Sequence, residues 1–272
     1  MSGKKYGSED ESRFIREAVD GDKKSLEELI KTHQDFIYNI ALRFFLDPDD
    51  AMDATQEVLI KVITSLKTYR GESQFRTWLY RIAINHFLNT TKRKYELLLE
   101  AQPSYFAGFS SSNSAEEQIT EAEIEEVRLL CSTAMLMCLN REQRLLYIIG
   151  EIFGADHNLG AELFDISPAN YRVKLHRAKI DLLNFVSGKC GIINPENPCR
   201  CPKKTRSLIE MGVVDKFDLK FNSNFTRKIN ELVADRKNEI SDRIQLEMSE
   251  LFRDSPFQIK KEIDELLSSI LK

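Results

Sequence analysis

The chain has 272 residues, 42% of them apolar, enough for one large core or two to three small ones. No apolar run approaches the roughly 18 residues a membrane span needs, and the opening MSGKKYGSEDES has no hydrophobic signal region, so a cytoplasmic protein without a membrane span is expected. Five cysteines argue against a disulfide framework and for free thiols or a metal site, and a net charge of -4 means that any nucleic-acid partner must be met by local charge segregation.

In chain order, residues 1–24 are polar and predict a frayed tail with one short helix, FIREAV. In AMDATQEVLIKVITSL, the apolar Val58, Leu59, Val62, Ile63 and Leu66 share one helical stripe, and Asp50, Asp53, Glu57 and Lys61 lie opposite. After the break TYRGESQ, the segment FRTWLYRIAINHFLNTTKRK resumes helical spacing with Phe75, Leu79, Ile82 and Phe87 inward, and the lone Trp78 reads as core. This half predicts a bundle of three to four helices. From Lys67 to Lys94 the cations Lys67, Arg70, Arg76, Arg81, Lys92, Arg93 and Lys94 face a single acid, Glu72, and are interleaved with Tyr69, Phe75, Trp78, Tyr80 and Phe87. Cations mixed with rings suit a nucleic acid whose bases are unstacked.

The stretch AQPSYFAGFSSSNSAEEQ loses all periodicity and reads as a linker, and six acids, Glu116, Glu117, Glu121, Glu123, Glu125 and Glu126, introduce a second helical block. In that block NLGAELFDI predicts a short helix with Leu159, Leu163 and Ile166 inward. Ser167 suits an N-cap, and Pro168 suits the first position of the next helix. Helix, tight turn and capped helix make a helix-turn-helix. In its second helix Tyr171, Leu175, Ala178 and Leu182 form the buried stripe, while Arg172, Val173, His176, Arg177 and Lys179 lie on other faces. Such a face can enter a major groove, or can simply be a solvated basic surface.

The tract SGKCGIINPENPCRCPKK then interrupts the pattern. Cys190, Cys199 and Cys201 lie on a loop stiffened by Pro195, Pro198 and Pro202. Three sulfurs are one short of a closed zinc site, and His157, His176, Cys131 or Cys138 could supply the fourth ligand. A thiol redox element and a plain proline-rich linker are the other readings, while Cys131 and Cys138 suit a helical core. Residues 205–272 carry helical periodicity, including Leu246, Leu251, Ile259, Ile263, Leu266, Leu267 and Ile270.

The order KTHQDFIYNIALRFF, DDAMDATQEVLIKVITSL and YRGESQFRTWLYRIAINHFLNTTKRK resembles region 2 of the bacterial sigma-70 family, and CLNREQRLLYIIGEIFG with the helix-turn-helix resembles region 4. Without regions 1.1 and 3, the organisation is similar to that of the extracytoplasmic-function, or group 4, sigma factors. The resemblance implies an all-α fold: two small helical domains joined by a flexible acidic linker, plus a mostly helical C-terminal extension. Its expected parts are an N-terminal tail (1–24), region 2 (25–96), linker (97–126), region 4 (127–187), cysteine/proline tract (188–204) and extension (205–272).

The resemblance further implies a sigma factor, not an enzyme, that binds core RNA polymerase and promoter DNA, assists melting and requires no cofactor, with structural or sensory zinc at the cysteine tract left open. Asp53, Gln56 and Glu57 match the family's docking face for the β′ clamp helices; the β subunit is a further expected contact, and an anti-sigma factor a candidate partner. Tyr69, Arg70, Ser73, Phe75, Arg76, Asn85, Lys92 and Arg93 match positions at the −10 element. Arg172, Val173, His176 and Arg177, with Lys179 beside them, match the −35 readers. The acidic linker matches a segment threaded through the polymerase's RNA channels. A stand-alone helix-turn-helix regulator with a metal- or thiol-sensing tract is the alternative. The chain departs from the family pattern at Asn89, usually Asp, at Tyr171, usually small or β-branched, and at Leu159-Gly160-Ala161 in place of a Glu-Ile-Ala run.

Overall fold

The computed structural model describes residues 8–101, 119–217 and 219, and every element among them is helical. These residues fall into two compact units, one of 8–93 with 155–172, the other of 94–154 with 173–219. The apolar stripe expected from Leu246 to Ile270 lies outside the described residues.

The first unit contains α1 (Ser8–Val19), α2 (Lys23–Phe45), α3 (Pro48–Ser65), α4 (Phe75–Asn89) and α8 (His157–Phe164). Asp22 caps α2 by accepting from Ser25 N at 2.8 Å. Helix α2 ends in Leu46, whose left-handed φ of 65° lets its N–H reach Leu42 O. The next residue, Asp47, caps α3 by accepting from Asp49 N at 3.0 Å and Asp50 N at 3.2 Å, with Pro48 at the first turn. Helices α2 and α3 pack along their lengths and α4 crosses both. Phe44, Phe45 and Phe87 are sealed from solvent, with Phe44 stacked on Phe87 at 6.0 Å and Phe45 edge-on to it at 5.7 Å. Truncating one of these rings to Ala costs about 3–5 kcal/mol.

Three expectations need correction here. The N-terminal segment is no frayed tail from Ser8 onward, because α1 packs on α2, buries Ala18 and joins Glu17 to Ser25 Oγ at 2.5 Å. The inward residues of α4 are Phe75, Leu79, Ala83, Ile84 and Phe87, while Ile82 is only half-buried. Trp78 is half-buried too, covering Tyr69 and Phe75 at 5.5 Å and 5.6 Å.

The second unit contains α5 (Lys94–Ala101), α6 (Glu121–Ala134), α7 (Arg141–Tyr147), a π turn (Ile148–Ile152), most of α9 (Pro168–Lys189) and α10 (Cys201–Glu210). Both α5 and the start of α6 lie within the stretch expected to be linker. Helix α6 starts there because Thr120 and Glu123 form a reciprocal cap, Glu123 accepting from Thr120 N at 2.6 Å and Thr120 Oγ1 from Glu123 N at 3.3 Å. Helix α5 is held by Glu96, 7% exposed, which takes a two-pronged bond from Arg141 at 2.9 Å and 2.6 Å and a third from the buried Arg144 at 3.2 Å. Helix α10 packs on α6 over Val127, Leu208 and Val214.

Candidate nucleic-acid and partner interfaces

On α3 the apolar stripe is buried as expected at Val58, Leu59 and Val62, which leaves Asp53, Glu57 and Lys61 exposed and Gln56 half-buried. The face is not purely acidic. Arg93 reaches back across it, 3.1 Å from Glu57, 3.7 Å from Asp50 and 3.8 Å from Asp53, with its guanidinium over the Phe45 ring. His86 lies 2.9 Å from Glu57 on one side and 2.7 Å from Lys61 on the other. Burial and Lys61 hold its imidazole below the ordinary range, and Glu57 opposes them.

The expected −10 set divides in the structure. Arg70, Arg76, Asn85 and Lys92 are exposed, whereas Tyr69 and Ser73 are half-buried. Tyr69 Oη donates to Ser73 O at 2.7 Å and closes the loop 69–74 around Gly71, whose φ of 74° suits glycine. Phe75 is 3% exposed and packs against Tyr69, Trp78 and His33, so it is a core residue beneath the loop rather than a surface contact. Arg93 belongs to the α3 face, since the chain turns back over α3 after α4 ends at Asn89. Neither side chain's surroundings can be read from motif order alone.

The segment expected to be a helix-turn-helix consists of α8, a turn at Asp165 with φ of 54°, and α9, whose Ser167 Oγ accepts from Asn170 N at 3.2 Å. Tyr171, Leu175, Ala178 and Leu182 are all buried. Two departures from the family pattern turn out to be complementary. A Cβ at Gly160 would overlap the Tyr171 ring, so the glycine on α8 makes the space that the fully buried tyrosine on α9 fills. On the outer face Arg172, Val173, His176 and Arg177 are exposed, and the three polar ones meet no described residue in a hydrogen bond or ion pair. Lys179 differs from them: it turns toward the π turn and pairs with Glu151 at 3.1 Å, as Lys174 pairs with Glu142 at 2.7 Å.

All five cysteines are free and half-buried. Burial pushes the Cys131 thiol up to about 12 and raises Cys199 and Cys201, so as free thiols they are protonated at neutral pH and poor nucleophiles. As the side chains stand, no group of three or more His, Cys, Asp or Glu among the described residues has metal-binding spacing. His157 and His176, the imidazoles considered as fourth ligands, are both exposed. No helix of the described residues is long and apolar enough to cross a membrane.

Residues 29–95 match the family described as sigma-70 region 2. Over 165 residues the chain is 30% identical to the extracytoplasmic-function RNA polymerase sigma factor SigE of Mycolicibacterium smegmatis, covering 60% of this chain and 62% of that one. Over 174 residues it is 27% identical to the extracytoplasmic-function sigma-E factor of Haemophilus influenzae, covering 61% of this chain and 89% of the relative. The solved structure of CnrH in complex with the cytosolic domain of CnrY covers 65% of this chain and 97% of its own, at 17% identity and a TM-score of 0.49. Over residues 29–95 the chain belongs to the sigma-70 family, and along about 60% of its length it is similar to extracytoplasmic-function RNA polymerase sigma factors.

Proposed function

We propose that this sigma factor docks on core RNA polymerase through the α3 face of Asp53, Gln56 and Glu57 and thereby directs it, in the cytoplasm, to promoters. The loop 69–74 with Arg70, Arg76, Asn85 and Lys92 meets the −10 element, and Arg172, Val173, His176 and Arg177 read the −35 element. The observation that carries this reading is the outer face of α9. Its two arginines and one histidine have no described protein partner, on a helix whose opposite face is sealed in the core. An arginine so placed can pair with both acceptors of a guanine edge. Lys179, occupied by Glu151, is left with a lesser part. Bond-making stays with the polymerase.

The overall charge of -4 opposes phosphate attraction, so the free chain binds duplex DNA weakly and becomes promoter-specific only with its partner. The test is reconstitution with core polymerase, followed by sequencing of the transcripts made from genomic DNA. Defined start sites sharing −10 and −35 elements are expected. Tight, sequence-specific binding by the isolated chain at physiological salt, with no effect on transcripts, would instead make it a stand-alone regulator.

A further inference from the structure

The function proposed above leaves the cysteines without a role. Four of them, Cys131 on α6, Cys190 just after α9, Cys199 in the loop and Cys201 at the start of α10, are gathered in the second unit. Cys190 is followed by Gly191, which meets Cys199 at the far end of the loop, and Cys201 opens the helix that packs on the helix of Cys131. The backbone builds this gathering. Gly191 N–H donates to the Cys199 thiol, and a Cβ at Gly191 would overlap the Cys199 carbonyl, so the two ends of the loop meet only over a glycine. Asn197 Nδ2 ties the carbonyls of Ser187 and Cys190 at 2.8 Å and 3.1 Å. The Arg200 guanidinium ties those of Pro195 at 2.9 Å, Cys199 at 2.8 Å and Asn197. Packing of α10 on α6 brings in Cys131, at the edge of the Val127, Leu208 and Val214 cluster.

Two cations stand beside the sulfurs. Lys204 is 6% exposed and in electrostatic range of Cys131 and Cys199, and Arg128 donates to the Cys201 thiol. We propose that Cys131, Cys190, Cys199 and Cys201 form a four-thiolate site for a thiophilic divalent metal, zinc in the first place, which fastens the segment after α9 to α6. The donor set is the one zinc takes in closed structural sites. A divalent ion with four thiolates is doubly negative, and Lys204 and Arg128 offset that charge. Binding draws the sulfurs from their present spacing to bonds of about 2.3 Å and releases the thiol protons to solvent, with no electron transferred. Cys138 is outside the site, facing Arg144 and Asp181 instead.

The test uses the full chain, purified reduced and without added metal or chelator. Elemental analysis is expected to find about one zinc per chain. Replacement by cobalt(II) should give thiolate-to-cobalt charge-transfer bands and the visible bands of a tetrahedral ion. Cys131→Ser and Cys190→Ser should each weaken metal binding at least about tenfold and alter the cobalt spectrum, while Cys138→Ser leaves both unchanged. The wild-type metal content and spectrum stand as evidence even if Cys131→Ser fails to fold. Absence of a cobalt–thiolate band in the reduced wild-type chain, a spectrum unmoved by Cys131→Ser, or metal-free protein with a disulfide among these cysteines would each overturn the site. None of these readouts involves a promoter, so their failure is distinct from failure of the proposed function.

Discussion

The acidic face of α3 and the basic face of α9 are both single stripes on amphipathic helices, yet the fold treats their charge differently. Asp53 and Glu57 already meet a cation from elsewhere in the chain, Arg93, whose side chain is only 16% exposed. Arg172, His176 and Arg177 meet no described residue. The α3 surface is therefore tertiary, its charge tempered by His86 of α4 and by Arg93 of the segment after α4. The α9 surface belongs to one helix, and its full charge faces outward, as the proposed contact with phosphates and base edges requires. A docking surface gains from being rigid, and a reading surface gains from having unspent donors.

The sharpest way to break this comparison is charge reversal on α3. Asp53→Arg should abolish capture of core polymerase in a pull-down, since a like charge set against a basic partner costs several kcal/mol. Because the Asp53 side chain is 66% exposed and 3.8 Å from Arg93, the thermal melt should shift little. Capture at the wild-type level would remove docking from this face.

Next in size is the scaffold of the reading helix. Gly160→Ala should destabilise the first unit by about 1–3 kcal/mol in urea unfolding through overpacking against Tyr171. Adding Tyr171→Val should recover part of that loss, a coupling that independent sites would not show. Strictly additive losses would mean that ring and glycine are not in contention.

Confined to single base pairs, Arg172→Ala or Arg177→Ala should cost about 1–3 kcal/mol at one −35 position and relax the preference there, measured by a promoter scan with holoenzyme. Lys179→Ala should give a smaller loss, uniform across sequences. Flat, uniform losses from all three variants would reduce the α9 face to phosphate contact.

The smallest effect is on pH dependence. Burial holds His33 and His86 below the ordinary imidazole range. As pH falls through about 6.5 the unfolded chain takes up protons before the folded one, so stability declines from there down to the folded values and levels off below them. Urea midpoints should drop between about pH 7.5 and about pH 5.5, and His33→Gln should flatten the drop. A midpoint that rises on acidification would reverse the sign.

What the sequence could convey depended on whether one element carried the information. The α3 stripe, and Tyr171 with Leu175, Ala178 and Leu182, are period signals and were readable from spacing. The roles of Phe75 and Arg93 were not, because family order gives a position in the chain and not whether a ring is covered by Tyr69 or a guanidinium is drawn to Glu57. The fit of Gly160 to Tyr171 needs two helices at once; in sequence it shows only as two unrelated oddities. The cap of α6 was legible as Thr120 three residues before Glu123, but it sits where composition points to a linker. Cys131 lies 59 positions from Cys190, and only the packing of α10 on α6 brings it to the cysteine tract.

The corner between α2 and α3 has a consequence for timing as well as shape. Leu46 holds a left-handed backbone that costs a leucine about 1–2 kcal/mol, yet its side chain is 7% exposed and Asp47 begins the next cap at once. No slack residue separates the helices. One residue inserted between Pro48 and Asp53 would swing the acidic stripe about 100° around the helix axis and turn it away from its present outlook. With the corner intact, the stripe needs no search for its shape when a partner arrives, so the rate of encounter is set by diffusion and charge and not by waiting for a loop to settle.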